Sequence, residues 1–307
     1  MKKLVLMLLG GRSAERKISF LTGKACARAL KKKGFKVKEL DARGSFIKKI
    51  KKIKPDVVFN ALHGKYGEDG VVQKTLETLN IPYTHSGVLS SRLAMNKELS
   101  RVIFKKNKIN VPKYFLYRKK NKLKDLLNKM KRKKIKFPIV IKPINEGSSL
   151  GVYICKNKMQ FIKNYKKIKA LYDRILVEEY IPGKEIQVAI MGKKKLGAIE
   201  LVPQREFYDY TAKYSVNAKT RHIMPAKISK KKYNLALNLA KKAHDILGCK
   251  GITRSDFRFY NGKFYLLELN TQPGMTNLSL VPEIARFRGI KFEDLVVWMT
   301  KDATCNR

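Results

Sequence analysis

Apolar positions along residues 1–90 switch repeatedly between two periods. Leu4-Val5-Leu6-Met7-Leu8-Leu9 is a short continuous apolar run closed by Gly10-Gly11, the pattern of a strand buried on both faces. From about Ser13 the spacing becomes helical, which predicts Ile18, Leu21, Ala25 and Ala29 on one face and Gly34 as the stop. Residues 37–40 and 57–60 predict two further strands with a basic helix between them, and residues 71–80 predict a helix before Ile81-Pro82-Tyr83. Strands alternating with helices predict a parallel α/β sheet covered on both faces, spanning residues 1–96.

The texture then changes to α+β. Over 97–181, Leu123, Leu126, Leu127 and Met130 form one helical stripe, strands are predicted at 137–141, 152–155 and 174–180, and Gly147–Gly151 is a loop. Over 182–307 the pattern predicts strands at 186–191 and 196–202, a polar loop at 204–222, a helix at 232–247 and a hairpin at 251–269. Ala236, Leu239, Ala240, Ala243 and Leu247 share a face of that helix.

Composition narrows the partners. The chain has 307 residues, 44% of them apolar, enough for two or three domains with real cores. Its net charge of +45 invites phosphate backbones. Lys rather than Arg dominates the excess, however, and the lysines run along the whole chain, so a solvated basic surface with no specific nucleic-acid partner is expected. Cys26, Cys155, Cys249 and Cys305 show no metal or disulfide spacing and are expected as thiols in a reducing compartment. The apolar start is too short for a signal peptide, and no run approaches the ~20 residues of a membrane span, so a cytoplasmic protein without membrane partners is expected.

Four segments carry candidate chemistry. In the hairpin, alternation puts Arg254, Asp256 and Arg258 on one face and Glu268 with Asn270 on the partner strand. Two carboxylates and a carboxamide suit a hard cation whose shell is completed by phosphate oxygens. A two-residue Asn261-Gly262 turn would send Asp256 and Glu268 to opposite faces, so a three-residue turn, Tyr260 to Gly262, is predicted. Lys142 followed by Gly147-Ser148-Ser149-Leu150-Gly151 offers a point charge and an anion-cradling loop. His63-Gly64-Lys65-Tyr66-Gly67-Glu68-Asp69-Gly70 follows a strand's carboxyl end, where parallel sheets place ligands. Gly10-Gly11-Arg12-Ser13-Ala14-Glu15 lacks the dinucleotide fingerprint, and Glu15 suits the first turn of a helix.

Together these segments resemble the D-alanine–D-alanine ligases of the ATP-grasp superfamily. The matching stretches run in family order from Leu9 to Arg16, from Ala61 to Gly70, and through Lys142-Pro143 with Glu146-Gly147-Ser148-Ser149. They continue through Tyr208-Asp209-Tyr210 with Ala212-Lys213-Tyr214, Gly248-Cys249-Lys250-Gly251 with Arg254 and Asp256, and Leu267-Glu268-Leu269-Asn270 with Pro273-Gly274-Met275-Thr276. The resemblance implies an ATP-grasp fold in three domains (1–96, 97–181, 182–307), ATP and D-alanine as substrates, two Mg²⁺ (or Mn²⁺) and a homodimer.

Residue roles follow from the same resemblance. Lys97, Lys142 and Lys213 would meet the ATP phosphates, with Ser149 in the flap over them; Glu179 and Ile181 the adenine edge; Glu185 the ribose. Asp256, Glu268 and Asn270 would bind the metals, with Glu268 bridging. Glu15 would hold the first D-alanine's ammonium and bond Ser148, which meets Tyr214. Arg254 and the Gly274 N–H would stabilise an oxyanion, Ser279 would hold the second carboxylate, and His63 would stand on the acceptor's side. Tyr214 favours an amine acceptor over the D-lactate of related ligases; D-serine is the other variant, and a basic nucleic-acid-binding protein is the remote alternative.

Overall fold

The computed structural model of the chain describes residues 3–147, 150–203, 220–276 and 278–306. The first sheet contains β1 (Leu4–Leu9), β2 (Lys36–Asp41) and β3 (Val57–Asn60), all parallel in the order β2-β1-β3. Helix α1 (Arg16–Lys32) covers one face, and α2 (Phe46–Ile53) and α3 (Val71–Thr78) cover the other. β1 is apolar throughout because Val5, Met7 and Leu9 pack towards α1 while Leu6 and Leu8 pack towards Ile50 and Leu76.

The predicted stripe of α1 is displaced. Its buried face is Ile18, Ser19, Thr22, Gly23, Cys26, Ala27, Ala29 and Leu30, whereas Leu21 is 56% exposed. A Cβ at Gly23 would stand 2.7 Å from the Leu9 Cβ, so the helix lies on β1 along its small residues. That close approach turns Leu21 outward.

Two short helices, α4 (Val88–Met95) and α5 (Lys97–Lys106), lead to the second sheet. It contains β4 (Tyr114–Arg118), β5 (Ile139–Pro143), β6 (Tyr153–Cys155) and β7 (Arg174–Glu179), in the order β4-β7-β5-β6. Helices α6 (Leu123–Arg132) and α7 (Lys158–Leu171) cover one face through Leu126, Met130, Phe161 and Ile168. On the uncovered face stand Val140, Lys142, Leu176 and Glu178.

The third sheet is five-stranded: β8 (Lys184–Met191), β9 (Lys194–Val202), β10 (Arg221–Ile223), β11 (Ile252–Tyr260) and β12 (Lys263–Asn270), ordered β10-β9-β8-β11-β12. The helix Lys230–Ile246 packs Ala236, Ala240 and Ala243 on one face of it, close against Val188, Phe257 and Leu266. The opposite face bears Gln187, Arg254, Asp256, Glu268 and Asn270.

The hairpin turn differs from expectation in an informative way. Tyr260 pairs with Lys263 across a two-residue turn, with Asn261 at φ 46° and Gly262 at φ 70°. The Asn-Gly pair takes the positive φ angles such a turn requires, so the tight turn wins locally. The missing residue is supplied further along. A bulge shifts the register between Asp256 and Phe257, so that Phe257 faces Leu266 but Asp256 faces Glu268, with Leu267 as the extra residue. The two carboxylates therefore share a face as predicted, through a different device.

Packing crosses the segment boundaries drawn from the sequence. Phe104 and Ile109, beyond the 96/97 boundary, lie in the core of the five-stranded sheet. The C-terminal helix Phe292–Lys301 packs on α1, joined by Lys32–Glu293 (2.7 Å) and Lys33–Asp294 (2.6 Å) ion pairs, and Tyr83 of the first unit bridges to Thr304. Among the described residues no helix is long and apolar enough to cross a membrane.

Candidate active site

The uncovered faces of the second and third sheets meet the loops after β1 and β3 over a cleft of two adjoining chambers. One is lined by Glu15, His63, Arg254, Asn270, Gly274 and Ser279. The other is lined by Lys142, Glu179, Ile181, Glu185, Asp256 and Arg258. Lys97, Glu146 and Glu268 line both and form the wall between them. Every described residue nominated from the sequence borders one chamber or the other. Ser148, Ser149, Lys213 and Tyr214, and the stretch Tyr208 to Ala212, lie outside the described residues.

In the first chamber, the loop bearing Glu15 is stitched in place before any ligand arrives. Gly10 and Gly11 take φ of 74° and 76°; Arg16 donates to the Gly11 carbonyl (2.8 Å) and forms a forked pair with Asp41. Ser13 donates to the His63 carbonyl (2.6 Å), tying this loop to the next. The Glu15 carboxylate then lies against two glycines: a Cβ at Gly64 or Gly147 would stand 3.0 or 2.9 Å from Oε1. Thus Gly147 serves close approach to Glu15.

His63 is buried, with Nδ1 2.8 Å from Glu68 Oε1 and Nε2 3.0 Å from Thr22 Oγ1. Burial opposes its protonation, but Glu68 and Glu15 outweigh it and raise the imidazole above its ordinary value. Ser279 precedes the helix Leu280–Phe287, and its Oγ accepts from the Thr276 N–H (2.9 Å). A Cβ at Gly274 would come within 3.0 Å of that oxygen. The loop between Asn270 and Gly274 is held to β3 by a buried amide pair. Asn60 donates to Gln272 Oε1 (3.0 Å), and Gln272 donates to the Leu62 carbonyl.

Of the described residues, the second chamber sets three cations, Lys97, Lys142 and Arg258, among six carboxylates. Lys97 donates to the Glu146 carbonyl (2.6 Å) and lies 3.3 Å from Glu268. Lys142 lies 2.8 Å from Glu178 Oε1. Burial, partly offset by Glu178, lowers the Lys142 ammonium to about 8. The alternation of β7 sends Glu179, the glutamate nominated from the sequence, and its neighbour Glu178 to opposite faces. Glu179 borders the chamber but its carboxylate accepts from the Lys113 N–H (2.8 Å), so the carboxylate beside Lys142 belongs to Glu178. Burial opposes ionisation of Glu178, but Arg101 and Lys142 outweigh it and hold the carboxyl below its usual range. Glu185 accepts from Gln187 Nε2 (3.2 Å) on the same face of β8.

On the hairpin, Arg254 grips Asp256 with Nε to Oδ1 (2.7 Å) and Nη2 to Oδ2 (2.9 Å), while Asn270 Oδ1 accepts from the Gln272 N–H (2.8 Å). Asp256, Glu268 and Asn270 form a set of oxygen donors on one sheet face, and the two carboxylates now face cations, Arg254 and Lys97. That donor set fits a hard divalent cation completed by phosphate oxygens. Among the described residues no group of three His, Cys, Asp or Glu side chains is placed to hold a metal by itself, and this set joins two carboxylates to one carboxamide.

Sequence reasoning missed Arg101, Glu178, Glu68, Asn60 and Gln272. Glu68 stood in the nominated loop, and Arg101 sits one helical turn after Lys97, a signal that was available. Nothing local marks Asn60 and Gln272, which meet only across the fold.

The comparisons with known proteins agree with one another. A family model described as D-ala D-ala ligase C-terminus matches residues 103–301, and one described as D-ala D-ala ligase N-terminus matches residues 38–86. The chain is 57% identical to a D-alanine–D-alanine ligase of Pelagibacter ubique over 100% of both chains. It is 44% identical to one of Wolbachia pipientis wMel, over 97% of this chain and 94% of that one. Its fold matches the crystal structure of a Bacillus anthracis D-alanine–D-alanine ligase complexed with ATP, with TM-score 0.85 and 29% identity over 98% of this chain and 97% of that one.

Proposed function

The chain belongs to the D-alanine–D-alanine ligase family, and from that premise and the two-chambered cleft we infer that it is an ATP-dependent ligase joining two D-alanines into the dipeptide of a peptidoglycan precursor. The observation that carries this reading is the shared wall of Lys97, Glu146 and Glu268. An acyl phosphate must form where a nucleotide's γ-phosphate meets an amino acid's carboxylate. A nucleotide chamber bearing Lys97, Lys142 and Arg258, and sharing Lys97, Glu146 and Glu268 with a chamber built around Glu15 and His63, supplies that meeting point.

In this reading the first D-alanine lies in the Glu15 chamber, its ammonium on the Glu15 carboxylate and its own carboxylate towards Lys97. A carboxylate oxygen attacks the γ-phosphorus, the bond to ADP breaks, and an acyl phosphate forms. Lys97, Lys142 and Lys213 stabilise the charge on the transferring group, which needs positioning and neutralisation more than covalent help. Glu179 and Ile181 border the purine and Glu185 the ribose. Asp256, Glu268 and Asn270 would hold Mg²⁺ (or Mn²⁺), which when bound supplies charge neutralisation and orientation of the phosphates.

The second D-alanine enters with its carboxylate on Ser279 and its amine towards His63. Its amine, having lost a proton, attacks the acyl carbon; the carbonyl becomes an oxyanion facing Arg254 and the Gly274 N–H, and phosphate leaves. Ser148, Ser149 and Tyr214 complete the closure over the intermediate and exclude water. Tyr214 supports an amine acceptor, the resemblance supports a homodimer and the three-part division, and the composition supports a cytoplasmic location without nucleic-acid or membrane partners.

Incubation with ATP, Mg²⁺ and D-alanine should release ADP and phosphate and yield D-alanyl-D-alanine, with nothing formed from L-alanine. ATP turnover without that dipeptide would overturn the reading, and turnover with D-lactate but not D-alanine at neutral pH would overturn the acceptor assignment. Sedimentation of the purified chain tests the dimer.

A further inference from the structure

Helix α5 presents Lys97 to the cleft and buries Arg101 one turn later. The Arg101 guanidinium is 1% exposed and forms an ion pair with Glu178 through Nη2. The same nitrogen donates to the Leu267 carbonyl at 3.3 Å, and the guanidinium carbon lies 5.2 Å from the centroid of the Tyr114 ring. The other oxygen of Glu178 lies 2.8 Å from Lys142. One carboxylate is thus shared between two buried cations, and the trio keeps a net positive charge. Were Lys142 alone with Glu178, the pair would be neutral and offer a phosphate little. Leu267, in turn, is the bulge residue that sets Glu268 opposite Asp256.

Stability alone does not account for this arrangement. Arg101 Nε and Nη1 find no hydrogen-bond acceptor among the described residues, and an incompletely satisfied buried guanidinium is costly relative to an apolar side chain of similar shape.

We propose that Arg101 is a positioning residue for phosphoryl transfer: by occupying one oxygen of Glu178 it leaves the Lys142 charge available to the triphosphate, and by bonding the bulge carbonyl it keeps Glu268 in register with Asp256. The proposal rests on the ligase reading and deepens it. Arg101 itself touches no substrate; it acts through Lys142 and Glu268.

The test compares Arg101→Met, which keeps length without charge, with Arg101→Lys, which keeps the charge. Arg101→Met should raise the ATP KM about tenfold, the loss of one charge-assisted interaction, and lower kcat, while the D-alanine KM stays within about twofold. Arg101→Lys should recover most of the ATP KM. A merely structural defect would lower the active fraction and leave both KM values alone. If Arg101→Met does not fold, Arg101→Gln takes its place with the same expectation. An ATP KM within about twofold of the parent in the uncharged variant, or Arg101→Lys no better than that variant, overturns the proposal. The parent enzyme is assayed first: if it makes no D-alanyl-D-alanine the ligase reading falls, whereas an active parent with an indifferent Arg101 variant sinks only this inference.

Discussion

Gln272→Leu should damage the enzyme in two ways that the geometry separates. Gln272 is 1% exposed and stands in the loop between Asn270 and Gly274, where its amide links this loop to Asn60 and Leu62 at the end of β3. Leucine keeps much of the volume but neither hydrogen bond. The Leu62 carbonyl loses its donor and one Asn60 N–H loses its acceptor, while the Gly67 carbonyl still receives the other N–H (3.0 Å). Two buried polar groups left unsatisfied cost about 1–3 kcal/mol each, so the variant should lose roughly 2–6 kcal/mol, a large share of a typical domain's stability. Urea unfolding followed by far-UV circular dichroism measures this as a lower midpoint.

The kinetic consequence should be one-sided. The Gln272 loop carries Gly274 and leads to Ser279, both in the amino-acid chamber and not the nucleotide chamber. We expect kcat/KM for D-alanine to fall about tenfold or more while the ATP KM changes little, since displacement of positioning groups is felt where they act. Gln272→Glu removes the donor to Leu62 and keeps an acceptor for Asn60, and should also be less stable than the parent. A midpoint and D-alanine KM both indistinguishable from the parent would refute the argument that this amide pair joins the two halves of the chamber.

Gly147→Ala puts a methyl 2.9 Å from Glu15 Oε1 and should raise the D-alanine KM about tenfold with the ATP KM nearly unchanged; steady-state kinetics in each substrate checks it. Lys142, lowered to about 8 chiefly by burial, is charged below that pH, so kcat/KM for ATP should be full below pH 8 and fall above it; a profile flat to pH 10 would contradict the assignment of Lys142 to the phosphates. His244 is buried beside Thr253 (2.8 Å) and lowered to about 4 chiefly by desolvation. The unfolded chain therefore binds the extra proton between pH 6.5 and 4, and stability present above 6.5 should decline by roughly 3 kcal/mol as pH falls through that window. His244→Gln should flatten that part of the decline in urea titrations, and an unchanged slope would exclude His244 as its source.

Much of this protein was determined by the sequence itself. The apolar run of β1, too short for a signal peptide, predicted a strand covered on both sides, and period-two alternation alone put Arg254, Asp256 and Arg258 on one face of β11. Local spacing also marked Glu15, His63 and Lys142, because each stands in or beside a glycine-bearing loop or at a strand or helix end, where backbone chemistry leaves a short-range trace, whereas Lys97 was marked by the family resemblance alone. Other features were decided by contacts between distant residues. The bulge at Leu267 reconciles a tight Asn-Gly turn with a cross-strand carboxylate pair, and no property of residues 260–263 specifies it. The closeness of α1 to Leu9 overrode the Leu21 stripe, since packing selects the face that lets backbones approach rather than the most apolar one. Arg101, Glu178 and Lys142 come from one helix and two strands and acquire meaning only when buried together, where desolvation makes one shared carboxylate govern two charges. Alternation and glycine are written in neighbouring residues, whereas register, helix approach and buried charge balance exist only after the chain has closed on itself.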